Sequence, residues 1–417
     1  MLDEMGKVAK QAAKKIASAS TITKNQVLSD LAELLWVERS FVLSNNQIDV
    51  EEAQEKGLSP ALIDRLTLNA DRLKGIADDL QTVAALPDPV GEEFEAQTMP
   101  NGLRIAKRRV PLGVLGVIYE ARPNVTIDIA GLALKSGNAA ILRGGSETLN
   151  SNRALVKLIK AVLENNELPV EAIQFIDSPD RALVLEMLTA SAYIDMIIPR
   201  GGAKLHQFCI ENSRIPVMTG GIGICHLFVD SSADLDASLN VIRNSKIQRP
   251  SVCNALDTVL VQHEIAAEFI PQLIQTLQAD GVSFRVHPNA WDYLNGIEAE
   301  VEKAVDQDFD TEWLSLVLGI KVVDSLNEAI EHIQTHSTGH SDGILTGNAD
   351  HASRFVDEVD SSAVYVNAST RFTDGAQLGL GAEVAVSTQR LHARGPMGLR
   401  ELTTYKWVIL GDYQVRP

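Results

Sequence analysis

The residue of this sequence best suited to covalent chemistry is a cysteine between a helical segment and a buried-type strand. Cys253 lies in the sequence QRPSVCN at residues 248–254. The thiolate is the reactive form of cysteine and a nearby cation favours it; Arg249 supplies a positive charge close by in sequence. The alternative is an inert structural cysteine, since free cysteines are mostly buried. The patterns around Cys209 and Cys225 are those of an ordinary helix and strand, which favours structural roles.

Three glycine-containing turns could bring backbone N–H groups close to a phosphate. Their sequences are RGGS at 143–146, RGGA at 200–203 and TGGIG at 219–223. None contains the full G-x-G-x-x-G fingerprint. Tight turns between a strand and a helix therefore remain the alternative interpretation of each.

Three histidines recur at a spacing that could place them on one face of a helix. His332, His336 and His340 stand at i, i+4 and i+8, which is compatible with a metal site. However, the sequence STG at 337–339 breaks the helical pattern before His340, and no H-E-x-x-H motif occurs. Solvated histidines, or histidines at the rim of an active site, are the preferred interpretation, and no metal is predicted.

The elements that must position these residues have an α/β pattern. Residues 2 to about 85 are predicted to be helical, and residues 97–110 to form a hairpin around Asn101-Gly102. From residue 111, short apolar strands alternate with helices, which indicates parallel sheets. Two of these strands run into Arg-Gly-Gly turns, at the sheet edge where open α/β sheets bind ligands. The predicted strands are 114–119, 139–142, 173–176, 196–198, 226–229, 258–261, 320–323, 343–345, 363–366 and 406–410.

Composition narrows the classes of function. The 417 residues allow two to four domains. Lys and Arg number 37 and Asp and Glu 55, so the net charge is −18. This charge argues against nucleic acid or an anionic membrane as a general partner. Three cysteines make no disulfide framework or zinc motif, and the sequence has neither a secretion signal nor an 18-residue apolar run. A cytoplasmic protein is expected.

In order, these segments resemble the aldehyde dehydrogenase superfamily over nearly the whole chain. The sequence PLGV at 111–114 leads to the loop EARPNVT at 120–126, whose asparagine donates to the oxyanion in that superfamily; the resemblance implies this role for Asn124. Cys253 falls at the position of the nucleophile, and Glu312 at that of the residue that holds the nicotinamide ribose.

The same resemblance assigns cofactor-binding residues. The strand GNAAILR at 137–143 ends in a basic residue near the adenosine ribose, and Arg143 takes the place of the usual lysine. The turns that follow the two strands face the cofactor. The residues implied are Arg143, Gly144, Gly145, Arg200, Gly201 and Gly202.

The gamma-glutamyl phosphate reductase family of that superfamily is the closer resemblance. Its motifs are similar to residues 119–126, 323–344 and 366–375, and its usual length is that of this chain. The resemblance implies NADPH-dependent reduction of L-glutamyl 5-phosphate to L-glutamate 5-semialdehyde, with release of phosphate, through a thioester on Cys253. This is the second step of proline biosynthesis from glutamate.

One departure from the superfamily pattern bears on the fate of the thioester. The superfamily usually has a glutamate before Leu-Gly-Gly, as the general base that activates water; here Thr219 stands in that place. A hydroxyl cannot do this near pH 7, so rapid hydrolysis is not expected. A hydrolytic aldehyde dehydrogenase, a zinc-dependent dehydrogenase, a thiol acyltransferase without redox chemistry and a binding protein remain the alternatives.

The substrate carries a carboxylate and a phosphate, so its pocket should contain basic groups. Arg122, Arg249 and Arg371 lie in loops that the resemblance places near the thiol; structural ion pairs are the alternative for each. Arg143 also suits the 2′-phosphate that distinguishes NADPH from NADH.

The expected fold is α/β and aldehyde dehydrogenase-like: two Rossmann-type domains with a β-flap. Residues 1–96 and 113–226 are predicted to bind the cofactor, 227–395 to be the catalytic domain, and 97–112 with 396–417 to form an oligomerisation flap that pairs with another subunit. The instability of an acyl phosphate in water also favours a complex with glutamate 5-kinase, the enzyme that makes it.

Overall fold

The structure is a computed structural model that describes residues 1–220, 222–294 and 296–416. The chain forms two compact units. The first comprises Met1–Thr219, Gly379–Val384 and Met397–Pro417, and the second Gly220–Leu378 and Ala385–Pro396. The first unit thus ends before the predicted boundary at 226, and it includes both long strands of the predicted flap. The assignment of cofactor binding to one unit and catalysis to the other stays a prediction.

Helices dominate the start of the chain, as the apolar spacing predicts. Two of the early helices begin at polar caps: Ser59 accepts the N–H of Leu62 ahead of Pro60, and Asn69 accepts that of Arg72. The helices are α1 (Leu2–Ala17), α2 (Thr21–Val37), α3 (Arg39–Glu55), α4 (Pro60–Leu66), α5 (Ala70–Ala85), α6 (Asn124–Lys135), α7 (Leu149–Asn165), α8 (Ala182–Thr189), α9 (Ala203–Asn212), α10 (Leu235–Ile247), α11 (His263–Gln278), α12 (Leu326–His336) and α13 (Ala349–Glu358).

Every predicted strand is present. The structure adds short strands that the sequence pattern does not indicate, Ser283–Val286 and Val301–Lys303 among them. The strands are β1 (Glu93–Thr98), β2 (Arg104–Pro111), β3 (Val114–Tyr119), β4 (Ala139–Arg143), β5 (Ile173–Phe175), β6 (Met196–Arg200), β7 (Cys225–Val229), β8 (Leu256–Gln262), β9 (Ser283–Val286), β10 (Val301–Lys303), β11 (Val317–Val323), β12 (Ser341–Leu345), β13 (Ala363–Val366), β14 (Val386–Ser387), β15 (Gly395–Pro396) and β16 (Thr403–Leu410).

The first unit contains a parallel sheet in the order β5-β4-β3-β6. Every residue of β3 and β4 is buried, which explains their unbroken apolar sequences. Ile118 is in register with Arg143, and Tyr119 with Arg200. Both arginines therefore lie at the carboxyl edge of this sheet, next to the end of β3.

The second unit contains a seven-stranded parallel sheet in the order β10-β9-β11-β8-β7-β12-β13. Its central strands β7, β8 and β12 are buried throughout. Helix α11 packs an apolar face against this sheet, with Phe269, Leu273 and Leu277 fully buried. Both units therefore have the predicted parallel-sheet α/β architecture.

The predicted hairpin is part of an antiparallel sheet in the order β1-β2-β16. Strand β16 pairs with β2 from Thr403↔Pro111 to Leu410↔Arg104. Tyr405, Trp407 and Ile409 are each about half exposed on this strand. In the part of the chain that the structure describes, no helix combines the length and apolar character needed to cross a membrane.

Candidate active site

Cys253 lies in the loop between α10 and β8, and its side chain is partly exposed. The loop is held from below by Cys225, the first residue of β7, whose Sγ donates to the Cys253 carbonyl at 3.2 Å. Burial raises the pKa of Cys225 well above its ordinary value. Cys225 is therefore a neutral structural thiol, whereas Cys253 has access to solvent.

The backbone at Gly223 packs directly against the backbone of Cys253. A Cβ at Gly223 would lie 1.5 Å from the Cys253 carbonyl oxygen and 2.5 Å from its carbon. Any side chain at 223 would displace the Cys253 loop. The neighbouring segment is fixed by Thr338, whose Oγ1 donates to the Ile222 carbonyl and accepts the Ile224 N–H, at 2.9 and 3.0 Å.

The residue after the cysteine ties the loop to the segment 369–374. Asn254 Nδ2 donates to the Thr373 carbonyl at 2.9 Å, and Thr370 Oγ1 donates to the Asn254 carbonyl at 2.8 Å. Asn254 Oδ1 is buried and has no hydrogen-bond partner. The sequence VNASTRFTDG at 366–375 thus supports the loop around Cys253.

Two of the predicted substrate arginines lie at the same loop. Arg371 Nε donates to Gln248 Oε1 at 2.7 Å, while Arg249 is exposed. Burial, and next the positive charge of Arg249, lower the pKa of Arg371. Arg249, Arg371 and Cys253 are thus within electrostatic range of one another. The third predicted arginine, Arg122, lies in the first unit, in the loop that leads from β3 into α6.

Glu312 belongs to the second unit, with Cys253. Its Oε1 accepts the Gly223 N–H at 2.9 Å, and burial raises the pKa of Glu312 to about 7. The Glu312 carboxyl and the Cys253 backbone thus both contact the same residue, Gly223. The adjacent Trp313 has a buried indole N–H without a hydrogen-bond partner.

Asn124, the predicted oxyanion donor, is the first residue of α6 in the first unit. Its Nδ2 donates to Asp128 Oδ2 at 2.8 Å, one helical turn further on. Burial raises the pKa of Asp128 to about 7. An amide NH₂ carries two hydrogens, so the contact with Asp128 fixes the rotamer and leaves one N–H for another acceptor.

The Arg143 turn is held by a buried chain of hydrogen bonds. Tyr119 Oη and Thr126 Oγ1 are 2.7 Å apart, and Thr126 donates to Asn152 Oδ1 at 2.8 Å. Asn152 Nδ2 donates to Thr148 Oγ1, which donates to the Gly145 carbonyl, both at 2.9 Å. This chain fixes the backbone between β4 and α7.

A side chain at either glycine of that turn would displace a neighbouring polar side chain. A Cβ at Gly144 would lie 2.2 Å from Asn152 Nδ2, and one at Gly145 would lie 2.1 Å from Glu147 Oε1. The Glu147 carboxyl in turn accepts the Ala121 N–H at 2.7 Å, where Ala121 has a left-handed φ of 43°. The two predicted loops of the first unit are therefore mutually supported.

A cavity of about 540 Å³ opens beside Arg143 in the first unit, within the range of small-molecule sites. Its lining combines apolar and cationic groups, including Leu62, Phe208, Arg181 and Lys204. Arg143 is only 9% exposed, and its Nε is buried without a hydrogen-bond partner. A cavity with cationic side chains and an apolar wall fits the adenosine half of a dinucleotide.

The other predicted glycine turn follows β6. Gly202 caps α9, and its N–H donates to Glu120 Oε2 at 3.3 Å; a Cβ at Gly201 would lie 2.5 Å from the same oxygen. Arg200 closes β6 beside Tyr119. The third turn is described only in part, because Gly221 lies outside the described residues.

The sequence interpretation missed several groups at these loops. Arg181 and Lys204 line the cavity beside Arg143, and no motif indicates them. Lys246 and Asp257 are buried beneath the Cys253 loop. Asp257 had a detectable signal, because it is a carboxylate inside the otherwise apolar strand β8, and such groups are paired when buried.

The histidine trio does not share a helix face. Helix α12 ends at His336, so His340 lies beyond it. His336 Nδ1 lies 2.7 Å from Asp310 Oδ1, and His332 Nδ1 lies 3.2 Å from Lys321 Nζ. Burial lowers the pKa of His340 to about 4. Among the described residues, no group of three or more His, Cys, Asp or Glu side chains is placed to hold a metal ion.

Comparison with known proteins agrees with this architecture. The sequence model described as "Aldehyde dehydrogenase family" matches residues 2–283. A gamma-glutamyl phosphate reductase of Photobacterium profundum is 56% identical over 416 residues, which cover 100% of both chains. This chain belongs to the gamma-glutamyl phosphate reductase family. The predicted family resemblance and the aldehyde dehydrogenase-like fold are therefore confirmed.

Solved structures extend the comparison. The crystal structure of gamma-glutamyl phosphate reductase from Thermotoga maritima has a TM-score of 0.97 at 48% identity and covers 100% of both chains. The glyceraldehyde-3-phosphate dehydrogenase GapN of Methanocaldococcus jannaschii, solved with NADP, has a TM-score of 0.68 at 17% identity, with 98% of this chain and 94% of that chain covered. At that identity the second likeness shows the fold alone.

Proposed function

We propose that this protein reduces L-glutamyl 5-phosphate to L-glutamate 5-semialdehyde with release of phosphate, the second step of proline biosynthesis from glutamate. The observation that carries the proposal is the full-length likeness, 56% identical over 416 residues, to a gamma-glutamyl phosphate reductase. Cys253 is the proposed nucleophile; its partial exposure supports that role, in contrast to the buried Cys209 and Cys225.

The proposed chemistry begins with attack of the Cys253 thiolate on the acyl carbon. The C–S bond forms, the bond to the phosphate oxygen breaks, and inorganic phosphate leaves without a proton from the enzyme. The remaining N–H of Asn124 donates to the oxyanion of the tetrahedral intermediate; one such donor is worth about 2.7–4 kcal/mol. When the thiohemiacetal collapses, the C–S bond breaks and Cys253 returns to the thiolate.

We propose NADPH as the cofactor, and it supplies the hydride that reduces the thioester. Arg143, Gly144 and Gly145 would hold the adenosine half, with Arg200, Gly201 and Gly202 beside it. The position of Arg143 at the cavity supports this, and a cation there suits a 2′-phosphate. Glu312 would accept hydrogen bonds from the nicotinamide ribose. A fold neighbour with NADP bound is compatible with this choice.

Thr219 explains why water does not compete with the cofactor for the thioester. It replaces the carboxylate that would act as a general base, and a neutral hydroxyl does not deprotonate water near pH 7. When the enzyme runs in the direction of aldehyde oxidation, the acyl group of the thioester is therefore transferred to phosphate rather than to water. The substrate itself is held by Arg122, Arg249 and Arg371, which match the charges of its carboxylate and phosphate.

The test is NADP⁺ reduction by glutamate 5-semialdehyde, with and without inorganic phosphate. The wild type should require phosphate, and Cys253→Ala should be inactive while Cys209→Ala, a matched variant of a buried thiol on α9, keeps the reaction. Activity of the wild type without phosphate would favour the hydrolytic alternative. If the absence of a carboxylate at position 219 is what prevents hydrolysis of the thioester, Thr219→Glu should give turnover that does not require phosphate.

We also propose a homo-oligomer, in which β16 of one subunit pairs with a second copy of the chain. The half-exposed Tyr405, Trp407 and Ile409 on an edge strand support this. A complex with glutamate 5-kinase would shorten the exposure of the acyl phosphate to water. Three cysteines without a predicted disulfide framework suit the reducing cytoplasm.

A further inference from the structure

A buried lysine and aspartate pair lies beneath the Cys253 loop. Lys246 on α10 is fully buried, and Asp257 on β8 is 2% exposed. The Lys246 Nζ donates to the Leu256 carbonyl at 2.8 Å and lies 3.9 Å from Asp257 Oδ1. Burying two charges is unfavourable unless they are paired and hydrogen-bonded. The ammonium therefore anchors the end of the nucleophile loop, at the point where it enters β8.

The Asp257 carboxylate connects two segments that carry proposed site residues. Its Oδ2 accepts the Cys225 N–H at 3.3 Å, and its Oδ1 accepts the Trp313 N–H at 3.1 Å. Cys225 in turn donates to the Cys253 carbonyl, and Trp313 follows Glu312 directly. One carboxylate thus lies between the backbone that supports the thiol and the backbone that presents the glutamate.

Among the described residues, the hydrogen bonds of Lys246 and Asp257 are to backbone groups, and their ion pair is with each other. A protein core does not need such a pair for stability. Apolar side chains of similar volume often stabilise a protein as well as a buried ion pair does. Burial lowers the pKa of Lys246 to about 8 and raises that of Asp257 to about 6. Both groups are therefore charged at pH 7, and each is held by hydrogen bonds to the loops of the site.

We infer that Lys246 and Asp257 are positioning residues that hold the Cys253 loop and the Glu312 segment in one geometry. The inference rests on the proposed roles of Cys253 and Glu312. Removing either member should affect thiol reactivity and nucleotide binding together, because the hydrogen bonds of the pair lead to the backbone that supports Cys253 and the backbone next to Glu312. Loss of the buried ammonium should also make the thiolate less favourable, because a nearby cation stabilises it.

The chain contains a matched control in its first unit. Lys24 and Asp88 form a buried pair with Nζ and Oδ2 2.9 Å apart and side chains 1% and 7% exposed. That pair is bonded to Thr21 and Val90, none of which has a proposed role in the site. Lys24→Met therefore removes a buried lysine of the same kind without touching either loop of the second unit.

The experiment compares Lys246→Met, Asp257→Asn and Lys24→Met in the full chain. Four quantities are measured: the Tm, the rate of Cys253 alkylation by iodoacetamide from pH 6 to 10 with peptide mass spectrometry, the Kd of NADPH by fluorescence, and the kcat of phosphate-dependent NADP⁺ reduction. Lys246→Met should slow alkylation at pH 7 by about fivefold or more and move its pH profile to higher pH. Asp257→Asn should raise the Kd of NADPH by about fivefold and change the alkylation rate, but because it removes a negative charge it should not move the alkylation profile to higher pH. We expect kcat to fall about 10–100-fold in both, since misplacement by about 1 Å has that effect.

Lys24→Met should lower the Tm and leave the alkylation profile within about twofold of the wild type. If the two variants of the second unit lower the Tm like Lys24→Met but leave alkylation and NADPH binding unchanged, the pair is only structural and the inference is wrong. If Lys246→Met does not fold, the isosteric Asp257→Asn decides the question by the same readouts. The alkylation rate is measured without turnover, so it is independent of whether Cys253→Ala abolishes the proposed reaction.

Discussion

Gly223→Ala should inactivate the enzyme by moving the nucleophile, without adding or removing any reactive group. The methyl group would lie 1.5 Å from the Cys253 carbonyl oxygen, whereas real Cβ atoms essentially never approach a neighbour closer than 3.0 Å. The atom in the way belongs to the backbone, so it cannot rotate aside as the end of a flexible side chain can.

The size of the effect follows from how far the Gly223 and Cys253 backbones must move apart to make room for the methyl group. One of the two backbones has to retreat by about 1.5 Å, and a misplacement of about 1 Å can lower a rate about 10²-fold. We therefore expect kcat to fall by about 100-fold or more. Overpacking of a core also destabilises by about 1–3 kcal/mol. Because the Gly223 N–H donates to Glu312, the Kd of NADPH should rise as well.

The assay is phosphate-dependent NADP⁺ reduction, with the free energy of unfolding measured in urea. Gly75→Ala is the control, since a Cβ at Gly75 in α5 meets nothing within 4 Å. The free energy of unfolding of that variant should be higher by about 0.5–1 kcal/mol, and its kinetics should equal those of the wild type. If Gly223→Ala folds and retains a kcat within about threefold of the wild type, the position of the Cys253 backbone does not limit the reaction, and this reasoning fails.

Three further changes test other parts of the structure. Burial raises the pKa of Glu312 from 4.5 to about 7, so the folded protein binds more protons than the unfolded chain between these pH values. The free energy of unfolding therefore decreases as the pH rises from about 4.5 to 7. Glu312→Gln should reduce this decrease, measured by urea unfolding at pH 5 and pH 8, and an unchanged difference between the two pH values would contradict the raised pKa. Gly144→Ala should break the Asn152–Thr148 hydrogen bond, cost about 1–3 kcal/mol and weaken NADPH binding about tenfold in a fluorescence titration, whereas intact binding would separate the turn from the cofactor. Trp407→Glu should shift the oligomer to a smaller species in light scattering at unchanged helix content, and the wild-type mass would exclude β16 as the interface.

The sequence was most informative about elements whose pattern is local. The buried strands β3 and β4 have continuous apolar sequences because both faces of a parallel sheet are covered. Asn69, a residue type favoured at helix caps, indicates where helix α5 begins. Strands β9 and β10 were missed because they are short and partly polar. The register of such strands is imposed by the neighbours that they pair with, and not by their own residues.

The family and the proposed chemistry were both indicated by the sequence itself. The features that indicate them are Cys253, the loop EARPNVT and Thr219 in place of a glutamate. Residue types and their order along the chain are enough to identify these features. What holds those residues was decided only by the tertiary structure. The contact of Gly223 with Cys253, the link from Asp257 to Trp313 and the cavity beside Arg143 join residues far apart in the chain. Packing and buried hydrogen bonds depend on distances in space, which residue spacing along a chain does not record.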